Sequence, residues 1–347
     1  MSAALDVSVV IPARDGLPDV LDAVRAARAQ TLAPREIVLV DDGSSDGTGD
    51  AVERAFPDAP GQAPVRVIRA RCGSAAAARN RGWREARGAW VALLDADDLW
   101  SAEKLAEAAR ALAAAPAAAW FFSDGAFLDV EGRRSDSWFS LYAELPDGYV
   151  GQPVAGLIQV NFVLTSSVVV RRDALEALGG FDESLSHAED LDLWIRLARR
   201  WPATASRRSL VRYQHRAGGL TRQVDSRLSG DVVLFERLAG DATLPAPLRA
   251  AARRRAALSE FKMGVADLRD DRAHDARAHF ARALRFPDRV LPVLAAFALA
   301  WLPRPLRAGL KRQRWAARTA APHVSVGRAR LVADTPAPAA RAPEGRP

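Results

Sequence analysis

The sequence predicts an α/β fold in which a mostly parallel central sheet carries helices on both faces and is followed by a C-terminal helical appendage. Three observations carry that expectation. Short β-branched runs alternate with helix-period segments through the first half of the chain, carboxylates follow directly on two of those runs, and beyond about residue 226 only helical periodicity remains.

Residues 7–11 (VSVVI), 36–40 (EIVLV), 65–69 (VRVIR) and 90–94 (WVALL) read as buried strands bounded by turn residues. Between the first two, Pro18 to Gln30 puts Val20, Leu21, Val24 and Ala27 on one helical face, with Pro18 suited to a first turn. Helices are expected at 48–55, 75–87 and 102–114. Strand alternating with helix implies parallel pairing, and in such folds ligands bind beyond the carboxyl ends of the strands. Further on, 163–171 and 207–213 read as strands and 189–200 as an amphipathic helix.

The first domain is thus expected over residues 1–225 and a helical region over 226–318. Within the latter, GVADLRDDRAHDARAHFARAL has the spacing of a single tetratricopeptide-like hairpin, too few copies for a solenoid. Val290 to Leu302 is apolar but too short to span a bilayer. Arg304, Arg307, Lys311, Arg312 and Arg314 follow, near Trp301 and Trp315, so 290–315 reads either as a helix in the membrane interface or as a core helix. The Pro/Ala/Arg-rich stretch 319–347 is expected to be disordered.

Composition narrows the classes. The lone cysteine, Cys72, excludes an internal disulfide framework, and five scattered histidines offer no zinc cluster. The opening residues lack a secretory signal, so a cytoplasmic protein is expected, at most peripheral on the inner face of the membrane. The net charge of +7 comes from arginines crowded after about Arg249. These admit an anionic surface or a phosphorylated substrate, and no nucleic-acid partner is assigned.

Four motifs carry chemistry. VALLDADDLW delivers Asp95, Asp97 and Asp98 from a strand into a loop, where carboxylates repel each other unless a cation intervenes. Mg²⁺ or Mn²⁺ suits such a site, shared with substrate phosphates. The plainer reading is a turn with Asp98 or Ser101 capping the next helix. EIVLVDDGSSDGT supplies Asp41 and Asp42, able to accept hydrogen bonds from a nucleobase or ribose, and equally a strand–turn–helix connection capped by Asp46 or Thr48. CGSAAAARNRG carries Arg79, able to contact a donor, brace an aspartate or simply sit on an alanine helix. SHAEDLDLWIRL places Glu189, Asp190 and Asp192 at a helix start, where the macrodipole favours acids and where one could be a general base. Like-charged neighbours would raise its pKa and the dipole would lower it. RYQHRAGGLTR offers His215, Arg216 and Arg222 as cations able to reach a diphosphate, with a structural histidine as the plainer reading of His215.

Taken in order, these pieces resemble glycosyltransferase family 2, the inverting family with the GT-A fold. The resemblance runs over roughly residues 5–220, from VSVVIPARD through VDDGSSDGT, AAARNRG, LLDADDLW and TSSVVVRRDALEALGGFDESL to EDLDLWIRL and the His215 segment. It implies transfer of a sugar from a nucleotide-diphosphate donor, a UDP-sugar by expectation, to a hydroxyl of a glycan or lipid-linked acceptor. Pro12, Ala13, Asp15 and Asp42 would line the nucleoside pocket, with Asp41 in support. Asp95 and Asp97 would serve ribose, diphosphate and metal, with Asp98 as a substitute ligand. Asp190, beside Glu189, would be the catalytic base, and Trp194 with Gly179 to Glu183 would shape the acceptor side. The family's usual aromatic-asparagine pair is replaced here by Arg14 and Asp15, which leaves base preference open. Two rivals stand beside this reading: a nucleotidyltransferase, for which PARDGLPD is a poor phosphate loop, and a degenerate transferase serving as a membrane-associated scaffold.

Overall fold

In the computed structural model, residues 5–128, 134–214, 224–284, 290–302 and 329–331 are described. β1 (Val7–Ala13) sends Val7, Val9 and Ile11 into one core and Val10 into another, the two-sided burial of a central strand. α1 (Asp19–Arg28) covers the first of these faces with Val20, Ala23, Val24 and Ala27. β2 (Glu36–Asp42), α2 (Thr48–Ala55), β3 (Val65–Ala70), α3 (Ala75–Glu85) and β4 (Trp90–Leu93) complete a doubly wound unit. Its strands run in the order β3–β2–β1–β4, all parallel. α3 lies on the face opposite α1, with Ala76, Ala78 and Trp83 in the second core.

The chain then crosses β5 (Leu99–Trp100), α4 (Lys104–Ala114) and β6 (Trp120–Leu128), followed by β7 (Arg134–Ser135), α5 (Phe139–Tyr142), β8 (Ala143–Glu144) and β9 (Val150–Gly151). α6 (Val154–Gln159), a 3₁₀ turn (Thr165–Ser167), β10 (Val169–Arg171), α7 (Arg172–Leu178), α8 (Glu189–Arg200) and β11 (Ala203–Gln214) complete the sheet-bearing part. β10 enters antiparallel between β4 and β6, and β11 runs parallel to β6, so the sheet is mixed but mostly parallel. The expected strand over 163–171 is therefore shorter. Ser167 Oγ bonds the Leu164 carbonyl at 2.7 Å and closes the turn that precedes it. The late strand is longer than 207–213, and its register with β6 shifts between Ser206 and Val211.

α9 (Val224–Gly240) and α10 (Ala246–Arg269) follow, then α11 (Ala273–Ala283) and α12 (Val290–Leu299). Leu234, Phe235 and Leu238 of α9 join the same core as Trp194 and Leu197 of α8. A separate small core unites Leu268, Ala276, Phe280, Val293 and Ala296. α12 is thus a packed helix, with Leu294 on it 44% exposed and Trp301 just beyond its end 65% exposed. Among the described residues, no helix is long and apolar enough to cross a membrane.

One segment departs from the expected disorder. β12 (Ala329–Arg330) pairs in parallel with β8, and Ala329 and Leu331 are buried in the main core. Gly156 makes room for them, since a Cβ there would lie 2.6 Å from Leu331 Cδ2. Two apolar side chains in a Pro/Ala/Arg-rich stretch leave no periodicity to read.

Candidate active site

β1 and β2 end side by side, with Pro12 opposite Val40 and Ala13 opposite Asp41. Asp41 is buried and holds the turn into α2, accepting from Ser44 N–H at 3.0 Å and Gly49 N–H at 3.1 Å. Asp42, also buried, accepts from Cys72 N–H and from Gly73 N–H, the latter at 3.1 Å. Asp15 adopts φ +48° and accepts from Ser45 N–H at 2.7 Å and Ser45 Oγ–H at 3.0 Å. Those two bonds hold its exposed carboxyl below the usual range. Leu17 N–H donates to Asp46, which in turn caps Thr48 N–H at 2.9 Å. Pro12 is half-buried and Ala13 buried, so these five residues share one rim with Asp15 as its exposed member.

The second acidic strand end lies beyond β4. Arg79, 8% exposed, forks between two carboxylates distant in sequence: Nη2 meets Asp95 Oδ1 at 2.8 Å and Nη1 meets Glu189 Oε1 at 2.8 Å. Its guanidinium also lies 5.5 Å from the Phe181 ring centroid. Asn80 is the matching fastener for GGFDE: its amide donates to the Phe181 carbonyl and Glu183, and its carbonyl accepts from Phe181 N–H and Trp83 Nε1. Two neighbouring residues of α3 thus hold the acidic loop, the GGFDE turn and the start of α8 together.

Asp97 is half-buried; burial, and then the charge of Asp95, raise its carboxyl to about 6. Asp98, the expected substitute ligand, is taken up by protein partners. It is fully buried, accepting from Ser166 Oγ at 2.5 Å and Gln214 N–H at 3.2 Å, and burial pushes its carboxyl well above the usual range. Ser166 Oγ also receives Asp95 N–H at 3.0 Å, which fixes the loop from beneath. Among the described residues, no three His, Cys, Asp or Glu side chains form a metal cage. Asp97, with Asp95 beside it, fits a cation that takes one or two carboxylates and completes its shell with phosphate and water.

Across from this loop, Asp190 accepts from Leu191 N–H at 2.6 Å, Asn161 Nδ2 at 3.2 Å and Thr165 Oγ1 at 3.4 Å. Burial, then the neighbouring Glu189 charge, raise its carboxyl to about 6 despite those bonds, so repulsion and desolvation outweigh the helix terminus. Asn161 lies outside every motif, and Thr165, though it opens the TSSVVV stretch of the family 2 resemblance, takes no role from it. Trp194 must be corrected: it is 0% exposed and stacked on Trp120 at 6.1 Å, so it is core and does not face an acceptor. His215 lies outside the described residues.

A family model described as glycosyl transferase family 2 matches residues 8–179, spanning both acidic strand ends and Arg79. Residues 8–179 are a glycosyl transferase family 2 domain. The family 2 stretch stops short of α8; Arg79, inside it, reaches out to Glu189.

Curated relatives agree in kind. The O-antigen biosynthesis protein RfbC of Myxococcus xanthus is 33% identical over 55% of this chain and 14% of its own length. The succinoglycan biosynthesis protein ExoO of Rhizobium meliloti is 33% identical over 53% of each. The matched stretch therefore spans about half or less of these relatives. Among solved structures, S. aureus TarS 1-349 in complex with UDP-GlcNAc superposes with a TM-score of 0.64 at 17% identity, over 89% of this chain and 93% of that one. A mannosyltransferase of Pyrobaculum calidifontis in complex with GDP-Man and Mn²⁺ gives 0.55 at 21% identity, over 90% and 85%. At such identities the likeness concerns the fold, the GT-A arrangement that glycosyl transferase family 2 implies.

Proposed function

We propose that the protein is an inverting glycosyltransferase, moving a sugar from a nucleoside-diphosphate sugar, a UDP-sugar in the first instance, to a hydroxyl of a glycan or lipid-linked acceptor. What supports the reading is the Arg79 fork. It ties the carboxylate loop that would meet a diphosphate to the start of the helix that carries Asp190. The Asp42 rim would take the nucleoside. Asp190 would accept the proton of the acceptor hydroxyl as its oxygen bonds the anomeric carbon from the face opposite the leaving diphosphate. The carbon–oxygen bond to that diphosphate breaks with its electron pair, and the anomeric configuration inverts. A Mg²⁺ or Mn²⁺ ion held by Asp97 and Asp95 would offset charge on the departing diphosphate.

The deciding experiment incubates the protein with UDP-, GDP- and dTDP-sugars, Mn²⁺, and acceptors either free or presented on vesicles, and reads the products by mass spectrometry. Sugar-bearing acceptor with inverted linkage supports the reading. Nucleotide-bearing product would point to a nucleotidyltransferase, and no product to a scaffold.

Asp97→Asn should weaken Mn²⁺-dependent donor binding in a calorimetric titration. Full activity of that variant in excess chelator would show the metal part to be wrong. A second expectation concerns pH. A base with a carboxyl near 6 loses its ionised form below that value, so kcat should fall about tenfold per pH unit below 6 and level off above 7. A flat profile between pH 5 and 8 would remove Asp190 from that role.

A further inference from the structure

We infer that α9 clamps the turn before α8, locking it in a strained shape that fixes where Glu189 and Asp190 stand at the start of that helix. The inference rests on Asp190 being the general base and adds a positioning device outside the family 2 match.

The strained residue is Ala188, which sits at φ 63°, ψ 16°, a left-handed conformation that L residues other than Asn and Asp seldom keep. Its carbonyl already accepts the first helical bond, from Asp192 N–H at 2.9 Å, so its conformation fixes where the first turn of α8 begins. Such strain persists only where the surroundings over-determine it. Here the surroundings belong to α9 and the turn behind it.

Gly230 of α9 lies against the residue just before Ala188: a Cβ at 230 would stand 2.6 Å from the His187 carbonyl oxygen and 2.8 Å from His187 Cβ. Only a residue with no side chain lets the helix approach this closely. About two turns further along, Arg237 binds Asp182 at 2.8 Å and Ser184 Oγ at 3.4 Å, fastening the approach to α8. At the far end of α8, Arg199 binds Asp241 at 2.8 Å and Thr243 Oγ1 at 2.6 Å. Between these anchors, Leu234 and Phe235 share the core with Leu193, Trp194 and Leu197. α9 and the turn after it therefore hold the approach to α8 and its last turn, while α6 and α7 pack against the helix itself. Arg79, by contrast, grips only Glu189.

Gly230→Ala sets a methyl against His187 and pushes the turn off α9, so kcat should fall ~10–100-fold at unchanged donor KM, the scale expected when a reacting group is displaced by about an ångström. Arg237→Met, which frees Asp182 at a half-exposed ion pair, should lower kcat in the same direction with a melting temperature close to wild type. Ala188→Gly leaves the α9 contacts in place and suits the left-handed turn, so it should keep wild-type kcat. Wild-type kcat in both Gly230→Ala and Arg237→Met, or a donor KM that rises in step with the loss, would overturn the clamp. Asp190→Asn, run in parallel, separates the two claims. If it is inactive while Gly230→Ala and Arg237→Met are fully active, the clamp alone fails; if it turns over normally, the base reading fails and takes the clamp with it.

Discussion

Asp190→Asn is expected to slow sugar transfer by ~10²–10⁴-fold, the usual contribution of general-base help, while donor binding is unchanged. The same variant carries a stability signature of opposite sign. Asp190 has its folded pKa raised from 3.8 to about 6, chiefly by burial. A carboxyl shifted in that direction contributes stability that is fully present below the unfolded value and lost as pH rises through the folded one. The neutral amide escapes that loss. It should therefore melt above wild type at pH 7 and level with it near pH 4. Initial-rate assays with a donor titration test the first half, and calorimetric melts at the two pH values test the second. An inactive variant that also fails to bind donor would mean that Asp190 holds substrate instead of moving a proton.

Arg79→Met should be the most damaging single change to site and fold together. Its fork neutralises Asp95 and Glu189 where both are mostly screened from water, with side-chain exposures of 25% and 14%. Removing one partner of a buried ion pair typically costs about 3–5 kcal/mol, and the partial exposure of Asp95 favours the lower figure. For a chain of this size that is a fall on the order of 10 °C in Tm. Activity should drop ~10²-fold because the carboxylate loop and α8 lose their common anchor. Arg79→Lys keeps the charge but not the planar fork, so it should recover part of the stability and little of the rate. A methionine variant that melts and turns over like wild type would show the fork to be incidental.

The strands that carry the two aspartate clusters were legible because each is a short β-branched run bounded by turn residues, and β1 through β4 lie where those runs fall. β6 was not read. Its sequence, WFFSDGAFL, places aromatic residues together and then Asp and Gly, so neither alternation nor a β-branched run marks it, yet it lies between β10 and β11 in the sheet. The site was legible as a set of residues rather than as an arrangement. Arg79 stood out as able to brace an aspartate, but its partners lie 16 and 110 residues away, and no local spacing encodes a pairing of that range. Trp194 failed for a related reason: on α8 it falls on the side facing the sheet, where Trp120 stacks on it, and a motif cannot reveal which way a helix is turned. Asn161 and Thr165 reach Asp190 from just before and within the turn Thr165–Ser167, where the sequence reads as the start of a strand.

The short strand at 329–331 bears on how the protein can be handled. Any version trimmed after the helices would strip the cover from Gly156 and Ala143 and leave a greasy notch open to water beside the sheet. Affinity handles and fusion partners are therefore better joined beyond Leu331, and solubility problems in shorter versions would trace to that uncovered seam rather than to the catalytic half.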